Sequence, residues 1–347
     1  AYPPAPMALP SSPVVAPAAG RRWRVGVAVG KFNPPHLGHA HLLTVGAARV
    51  DHLHVLLCDR PNQTLPAADR AAWLADALPD NVTVHVTPDD LPQANEPWAA
   101  RALEVLPEPP NVAFTSEPWG PGWAQLMGAD HVAVDNDRTT VPVSGTALRE
   151  NLARNFHLLV PAARAALTRR VVCVGAESTG KTTLARGLAE RLGTVWVPEH
   201  GRWYWEGRRY LADQSWDTSE FLRIARAQQS LADDLARKAV GGMVVGDTDA
   251  LVTAVWHRRY LGHDDDVLDR LVETVRPDHY LVCAPDFAWV QDGTRESVAE
   301  REAMHADTLD RVQRSGVPFT VLTGGAAERL ATAAAVCADA TPVPSLA

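Results

Sequence analysis

Short apolar runs alternate along the chain with longer stretches whose apolar residues recur at helical spacing. From Trp23 onward the runs WRVGVAV (23–29), HLHVLLC (52–58), NVTVHVT (81–87), NVAFT (111–115) and HVAVD (131–135) are Val-rich and bounded by Pro, Asn, Asp or Gly. That length and composition predict strands covered on both faces. The stretches between them, 37–49, 66–78, 95–106 and 119–128, predict helices. A second series follows in VVCVG (171–175), TVWV (194–197), MVVG (243–246), HYLVC (279–283) and FTVL (319–322), ending in an Ala-rich helix. Strand and helix in steady succession predict an α/β chain with two doubly wound, parallel-sheet domains.

Residues 1–20 (AYPPAPMALPSSPVVAPAAG) carry no charge and no periodicity, and read as a flexible or polyproline tail. The domain boundary is expected near 160–169, where PAARAALTRR runs into the second series; this gives domains 21–165 and 166–347. A length of 347 residues suits two domains of roughly 100–200 residues each.

Charge narrows the partners. With 33 Lys+Arg against 41 Asp+Glu the net charge is -8, a sign that repels nucleic acid and anionic lipid. Neither is expected as a partner, and a phosphate-bearing ligand must be held by a local pocket. No run reaches the ~20 apolar residues of a membrane span, and no basic-then-apolar start marks a secretory signal. Cys58, Cys173, Cys283 and Cys337 form no CxxC pair, so buried free thiols in a reducing cytoplasm are expected. Tryptophan, at 11 residues, makes up half of the aromatics, and an indole can cover the face of a flat ring. The sequence leaves a homo-oligomer open.

The strongest motif is Gly175-Ala176-Glu177-Ser178-Thr179-Gly180-Lys181-Thr182, which satisfies GxxxxGK[ST] between a strand and the helix opened by Thr182 and Thr183. Such a P-loop turns successive backbone N–H groups toward a β-phosphate, lets Lys181 reach the β/γ oxygens and offers the Thr182 hydroxyl to Mg²⁺. MVVGD then supplies Asp247 as a second magnesium or base candidate. Asp249, in the same DTD, reads equally as a helix cap or as a magnesium or base carboxylate. A hydroxyl kinase needs a base, for which Glu199 and Asp247 are the candidates. The segment 285–301 reads as a lid carrying Arg295 and Arg301, or as a solvated helix start.

In the first domain, Gly30-Lys31-Phe32-Asn33-Pro34-Pro35-His36-Leu37-Gly38-His39 follows a strand and opens a helix. It resembles GxFxPxHxGH, the signature of the nucleotidyltransferase superfamily of adenylyl- and cytidylyltransferases. Two histidines three apart at a helix start share a face with its free N–H groups, a setting suited to a triphosphate. Val143-Ser144-Gly145-Thr146-Ala147-Leu148-Arg149 resembles the superfamily's second motif, with Arg149 one turn into a helix as an anion clamp. A phosphate attacking the α-phosphorus of ATP is already anionic (second pKa about 6) and needs no base. Alignment and charge neutralisation then fall to His36, His39, Lys31, Arg149 and magnesium.

An adenylyltransferase-like domain ahead of a P-loop domain resembles the bifunctional nicotinamide-nucleotide adenylyltransferase/ribosylnicotinamide kinase family. The resemblance runs from Arg24 to about Arg329 through GKFNPPHLGHAHLL (30–43), DRAAWL (69–74), FTSEPWG (114–120), DNDRTTVPVSGTALREN (135–151), PEHGRWYWEGR (198–208), GDTDALVTAVW (246–256) and DGTR (292–295). It implies that nicotinamide riboside is phosphorylated by ATP in the second domain. The mononucleotide is then adenylylated in the first, giving NAD and pyrophosphate, with Mg²⁺ as cofactor. Trp98, Trp119 and Trp256 are candidates to stack on nicotinamide, and Arg202 and Asp249 to bind substrate. Family members with an N-terminal helix-turn-helix act as repressors; the Pro/Ala tail here suggests no such module. Another phosphate-bearing substrate for the first domain, or an ATP- or NAD-sensing regulator, are the competing readings.

Overall fold

The computed structural model describes residues 23–286 and 298–339. The lid-like DGTR with Arg295 and the tail 1–20 lie outside the described residues. Contacts divide the chain into two compact units between Ala147 and Leu148.

The first unit contains β1 (Trp23–Gly30), α1 (Leu37–Ala47), β2 (Val50–Asp59), α2 (Ala67–Ala77), β3 (Val82–Pro88), α3 (Asn95–Val105), β4 (Val112–Thr115), α4 (Gly120–Leu126) and β5 (Asp130–Ala133). Its parallel sheet has the order β3-β2-β1-β4-β5. Alternation along the strands sends Leu53, Val55 and Phe114 to one face with Leu43 and Leu74 of α1 and α2. It sends Val27, Leu56 and Ala113 to the other, with Ala102 of α3 and Trp123 of α4. Strand order reverses beside β1, and the mouth at the carboxyl ends there is where open α/β sheets hold ligands.

A short helix, α5 (Gly145–Glu150), crosses the division, and α6 (Leu152–Asn155) and α7 (Pro161–Leu167) follow it. The division falls earlier than residue 165 because α7 docks on the second unit: buried Arg164 donates to the Arg237 carbonyl at 3.2 Å.

The second unit continues with β6 (Arg169–Val174), α8 (Lys181–Leu192), β7 (Val195–Val197), α9 (His200–Arg208), α10 (Thr218–Ala236), β8 (Met243–Asp247), α11 (Ala250–Leu261), α12 (Asp266–Thr274), β9 (His279–Cys283), α13 (Val298–Ser315), β10 (Phe319–Leu322) and α14 (Ala326–Asp339). Its parallel order is β10-β9-β6-β8-β7. Cys173, Leu184, Leu188, Leu281 and Ala333 form the core under α8 and α14, while Val172, Leu251, Met304 and Val312 form the core under α11 and α13. All four cysteines are free and buried. Burial raises their thiols, Cys58 to about 12 and Cys337 to about 11, so none is poised as a nucleophile.

Candidate active sites

In the first unit the turn from β1 to α1 is built inward from its histidines. His36 is the N-cap of α1, and its Nδ1 accepts from the His39 N–H at 3.3 Å. The His39 Nδ1 accepts in return from the His36 N–H at 3.3 Å, and the rings stack with centroids 3.5 Å apart. This is a capping box made of two imidazoles. Burial, reinforced by Arg138, lowers His36 to about 3. Burial first, then His36 and Arg138, holds His39 well below its ordinary value. Both rings are therefore neutral. With each Nδ1 occupied as an acceptor, the proton of each ring sits on Nε2.

Their surroundings are equally constrained. Phe32 adopts φ 47 and turns its ring into the core, edge-on to His39 at 4.9 Å. A Cβ on Gly38 would meet the His36 ring and Val143 Cγ1, both at 3.1 Å. Glycine there makes room for protein groups, and through Val143 the second motif seats against the first. A Cβ on Gly30 would meet the Phe32 ring at 3.1 Å. Ser144 Oγ accepts from the Ala147 N–H at 3.1 Å, beside Gly145 and Thr146. Arg149 follows on α5, past Ala147, where the first unit ends.

Lys31 is already paired with a carboxylate. Its Nζ lies 3.3 Å from the Asp89 carboxylate, which also holds Arg60 at 2.6 Å. Sequence reasoning missed three residues that shape this site. Arg70, fully buried on α2, donates to the carbonyls of Lys31, Cys58 (3.2 Å) and Leu65 (3.0 Å), to the Asp59 carboxylate and to Gln63. It ties the Lys31 turn to the end of β2. Arg138 acts electrostatically on both histidines and pairs with Glu117 at 3.2 Å. Asp135 holds that loop by accepting from the N–H groups of Thr140 (2.9 Å) and Val141 (3.0 Å). Only the quoted strings DRAAWL and DNDR hinted at these. Trp98 donates to the Pro92 carbonyl at 3.1 Å and packs on the α3–α4 core, whereas exposed Trp119 stands edge-on to Trp123.

The P-loop of the second unit lies between β6 and α8. Gly175 has φ 141, and a Cβ there would meet the Cys283 carbonyl oxygen at 2.6 Å, so only glycine fits. Ser178 adopts φ 57 and Gly180 caps α8. Thr179 Oγ1 and Lys181 Nζ both donate to the Ala176 carbonyl at 2.8 Å, and Glu177 lies within this loop. Arg329 of α14, also buried, donates to the Thr179 and Ala284 carbonyls at 2.9 Å each. Arg301 is not solvated: it is buried on α13 and donates to the Ser178 carbonyl of the P-loop at 3.3 Å.

Three carboxylates differ sharply in setting. Asp247 ends β8; burial raises it, opposed by a hydrogen bond with Thr182 and by Lys181 and Arg202. Its Oδ1 is buried without a hydrogen-bond partner among the described residues. Glu199 precedes α9 and makes no cap bond. Burial raises it, Lys181 lowers it, Asp247 raises it and Arg202, 3.8 Å away, lowers it. Glu199, Asp247, Lys181 and Arg202 thus share one field. Asp249 is committed to structure: it caps α11 through the Leu251 N–H at 3.0 Å and accepts from the Tyr280 hydroxyl at 2.8 Å. Burial pushes it up to about 6. Trp256 is half-buried, its ring stacked on Tyr260 at 5.7 Å.

Magnesium can be tested against these donors. The orphaned Asp247 oxygen beside the Thr182 hydroxyl fits a cation that takes few protein ligands and completes its shell with phosphate and water. Among the described residues no group of three or more His, Cys, Asp or Glu could hold a metal alone. No helix among them is long and apolar enough to cross a membrane.

Comparison with known proteins matches each unit separately and the pair together. A cytidylyltransferase-like family profile covers residues 27–151, and an AAA domain profile covers residues 170–329. The trifunctional NAD biosynthesis/regulator protein NadR of Salmonella typhimurium is 26% identical over 323 residues, covering 86% of this chain and 78% of its own. Its counterpart from Escherichia coli is 26% identical over 319 residues, covering 85% and 78%. Among solved structures, a NadR protein in complex with NR superposes with a TM-score of 0.68 at 21% identity, covering 94% of this chain and 100% of that one. A NadR protein in complex with NAD and AMP-PNP gives a TM-score of 0.65 at 22% identity, covering 91% and 95%. With both units matched in order by one protein type, the chain is homologous to the NadR-type bifunctional NAD biosynthesis proteins.

Proposed function

We propose that this chain makes NAD in two steps at two sites. The second unit transfers the γ-phosphoryl group of ATP to the 5′-hydroxyl of nicotinamide riboside, giving the mononucleotide and ADP. The first unit joins the mononucleotide phosphate to the α-phosphorus of ATP and releases pyrophosphate. The observation that carries this reading is the presence of two strand-to-helix phosphate cradles in a chain homologous to NadR along both.

In the kinase site Thr182 and Asp247 would hold Mg²⁺, which when bound shields the β- and γ-phosphates. Lys181, now on the Ala176 carbonyl, moves to phosphate oxygens when ATP enters. Glu199 is the base: its carboxyl is raised toward the working range by burial, and it accepts the hydroxyl proton as the O–P bond forms. Asp249 serves as a strut, and Arg202 steadies the charge shared by Glu199 and Asp247. Arg295 remains a candidate for the transferring phosphate through the family resemblance alone. Trp256 and Tyr260 offer a stacked aromatic face to the riboside base.

In the adenylyltransferase site the Nε2–H groups of His36 and His39 donate to the triphosphate as neutral dipoles. Positive charge comes from Arg138, Lys31 and, by the motif resemblance, Arg149. Trp98 and Trp119 are the nicotinamide candidates. The four free, buried cysteines support a cytoplasmic site of action.

The test incubates purified protein with ATP and nicotinamide riboside and scores ADP, mononucleotide and NAD. Nicotinamide mononucleotide, flavin mononucleotide and phosphopantetheine are supplied in parallel. Adenylyl transfer to either of the latter two, with none to the nicotinamide nucleotide, overturns the assignment.

A further inference from the structure

Two turns carry the carboxylates of the second unit, and one buried side chain joins them. The first turn, Glu199–His200, opens α9; the second, Asp247–Thr248–Asp249, links β8 to α11. Gln228 of α10 is 3% exposed. Its Oε1 accepts from the His200 N–H at 2.7 Å, and its Nε2 donates to the Thr248 carbonyl at 3.4 Å. The His200 N–H can only donate, which fixes the orientation of the amide and leaves the NH₂ for Thr248.

Thr248 gives that second bond its purpose. It is β-branched yet adopts φ 73, a conformation costing on the order of 1–3 kcal/mol that persists only where neighbours enforce it. Its N–H donates to the Cys173 carbonyl at 3.0 Å, just ahead of the P-loop. Its own carbonyl is held by Gln228. The strained residue thereby aims Asp247 toward Thr182 while Asp249 turns back to cap α11.

We infer that Gln228 is a positioning residue for phosphoryl transfer, setting the Glu199 turn against the Asp247 turn through its two amide bonds. The inference rests on the kinase reading of the second unit. A primary amide is suited to this task because one planar group both accepts and donates. Methionine fills the same volume and does neither.

The test compares Gln228→Met and Gln228→Glu with wild type in the full chain. Riboside phosphorylation and basal ATP hydrolysis are both measured, with adenylyl transfer to supplied mononucleotide as the internal control. Gln228→Met lowers kcat for phosphoryl transfer by about 10- to 100-fold, with KM for ATP and adenylyl transfer unchanged. Gln228→Glu discriminates position from packing. A buried carboxyl titrates above its usual range, and once protonated it again donates and accepts. The ratio of Gln228→Glu to wild-type kcat therefore climbs as pH falls from 8 to 6. Wild-type phosphoryl transfer kinetics in a folded Gln228→Met protein, or a ratio for Gln228→Glu that is flat with pH, overturns the role. Failure of the wild type to phosphorylate the riboside overturns the substrate instead, and ATP hydrolysis then reads out Gln228.

Discussion

His36 and His39 cap one another: each backbone N–H donates to the other ring's Nδ1 at 3.3 Å while the rings stack 3.5 Å apart. The arrangement does two things with one pair of side chains. It satisfies N–H groups at the start of α1, and it leaves both Nε2–H groups to donate. The histidines are neutral dipoles, so positive potential at this turn comes from Arg138.

This pair makes stability fall with acid. His36 binds its proton only near pH 3 in the folded protein but near 6.5 when unfolded. Between those values the unfolded chain holds more protons, so stability rises with pH and is lost as pH falls through the window, by up to about 1.4 kcal/mol per pH unit for each such group. Thermal unfolding followed from pH 7 to pH 4 measures this slope. His36→Asn lowers the slope by that one group's share and leaves the part due to His39.

Arg138 adds charge that the motif alone does not supply. Arg138→Ala raises KM for ATP in adenylyl transfer by about tenfold and leaves riboside phosphorylation unaltered. Glu117→Gln, which frees the guanidinium from its partner at 3.2 Å, does not weaken ATP binding. Steady-state kinetics with supplied mononucleotide decides this.

Arg70 carries the first unit's loop architecture. Its removal strands the carbonyls of Lys31, Cys58 and Leu65 and the Asp59 carboxylate. Arg70→Ala costs about 3–5 kcal/mol in chemical denaturation. Arg70→Lys recovers little of it, because an ammonium cannot span that fork of acceptors.

With Glu199 as the proposed base, its ionisation sets the acid limb of phosphoryl transfer. A base must be ionised to accept the hydroxyl proton, and burial raises this carboxyl, so the rate falls as pH drops toward its titration. Glu199→Gln lowers kcat by about 10²–10⁴-fold and removes the limb. A pH profile of phosphoryl transfer shows both.

What could be read from the chain beforehand was what neighbours in sequence determine. Among the described residues all ten strands lie where short apolar runs predict them, because strands covered on both faces have a local signature. The P-loop and the histidine turn are contiguous, so their residues arrive together. Arg70, Arg138, Gln228 and Arg329 were invisible as parts of a site because their partners lie far away in sequence and only packing supplies them. Asp249 could not be separated from a catalytic carboxylate until the Leu251 N–H and the Tyr280 hydroxyl were seen to occupy it. The pairing of Lys31 with Asp89, just past the end of β3, is likewise a contact between distant residues that the motif does not show.

Separation of the two steps by single substitutions tests the account most directly. Purified wild type, Lys181→Ala and His39→Ala are each given ATP with nicotinamide riboside, and separately ATP with the mononucleotide. Lys181→Ala forms no mononucleotide from the riboside yet makes NAD from supplied mononucleotide. His39→Ala accumulates mononucleotide and makes no NAD from either. Loss of both steps in either variant, with the protein still folded, contradicts two independent sites.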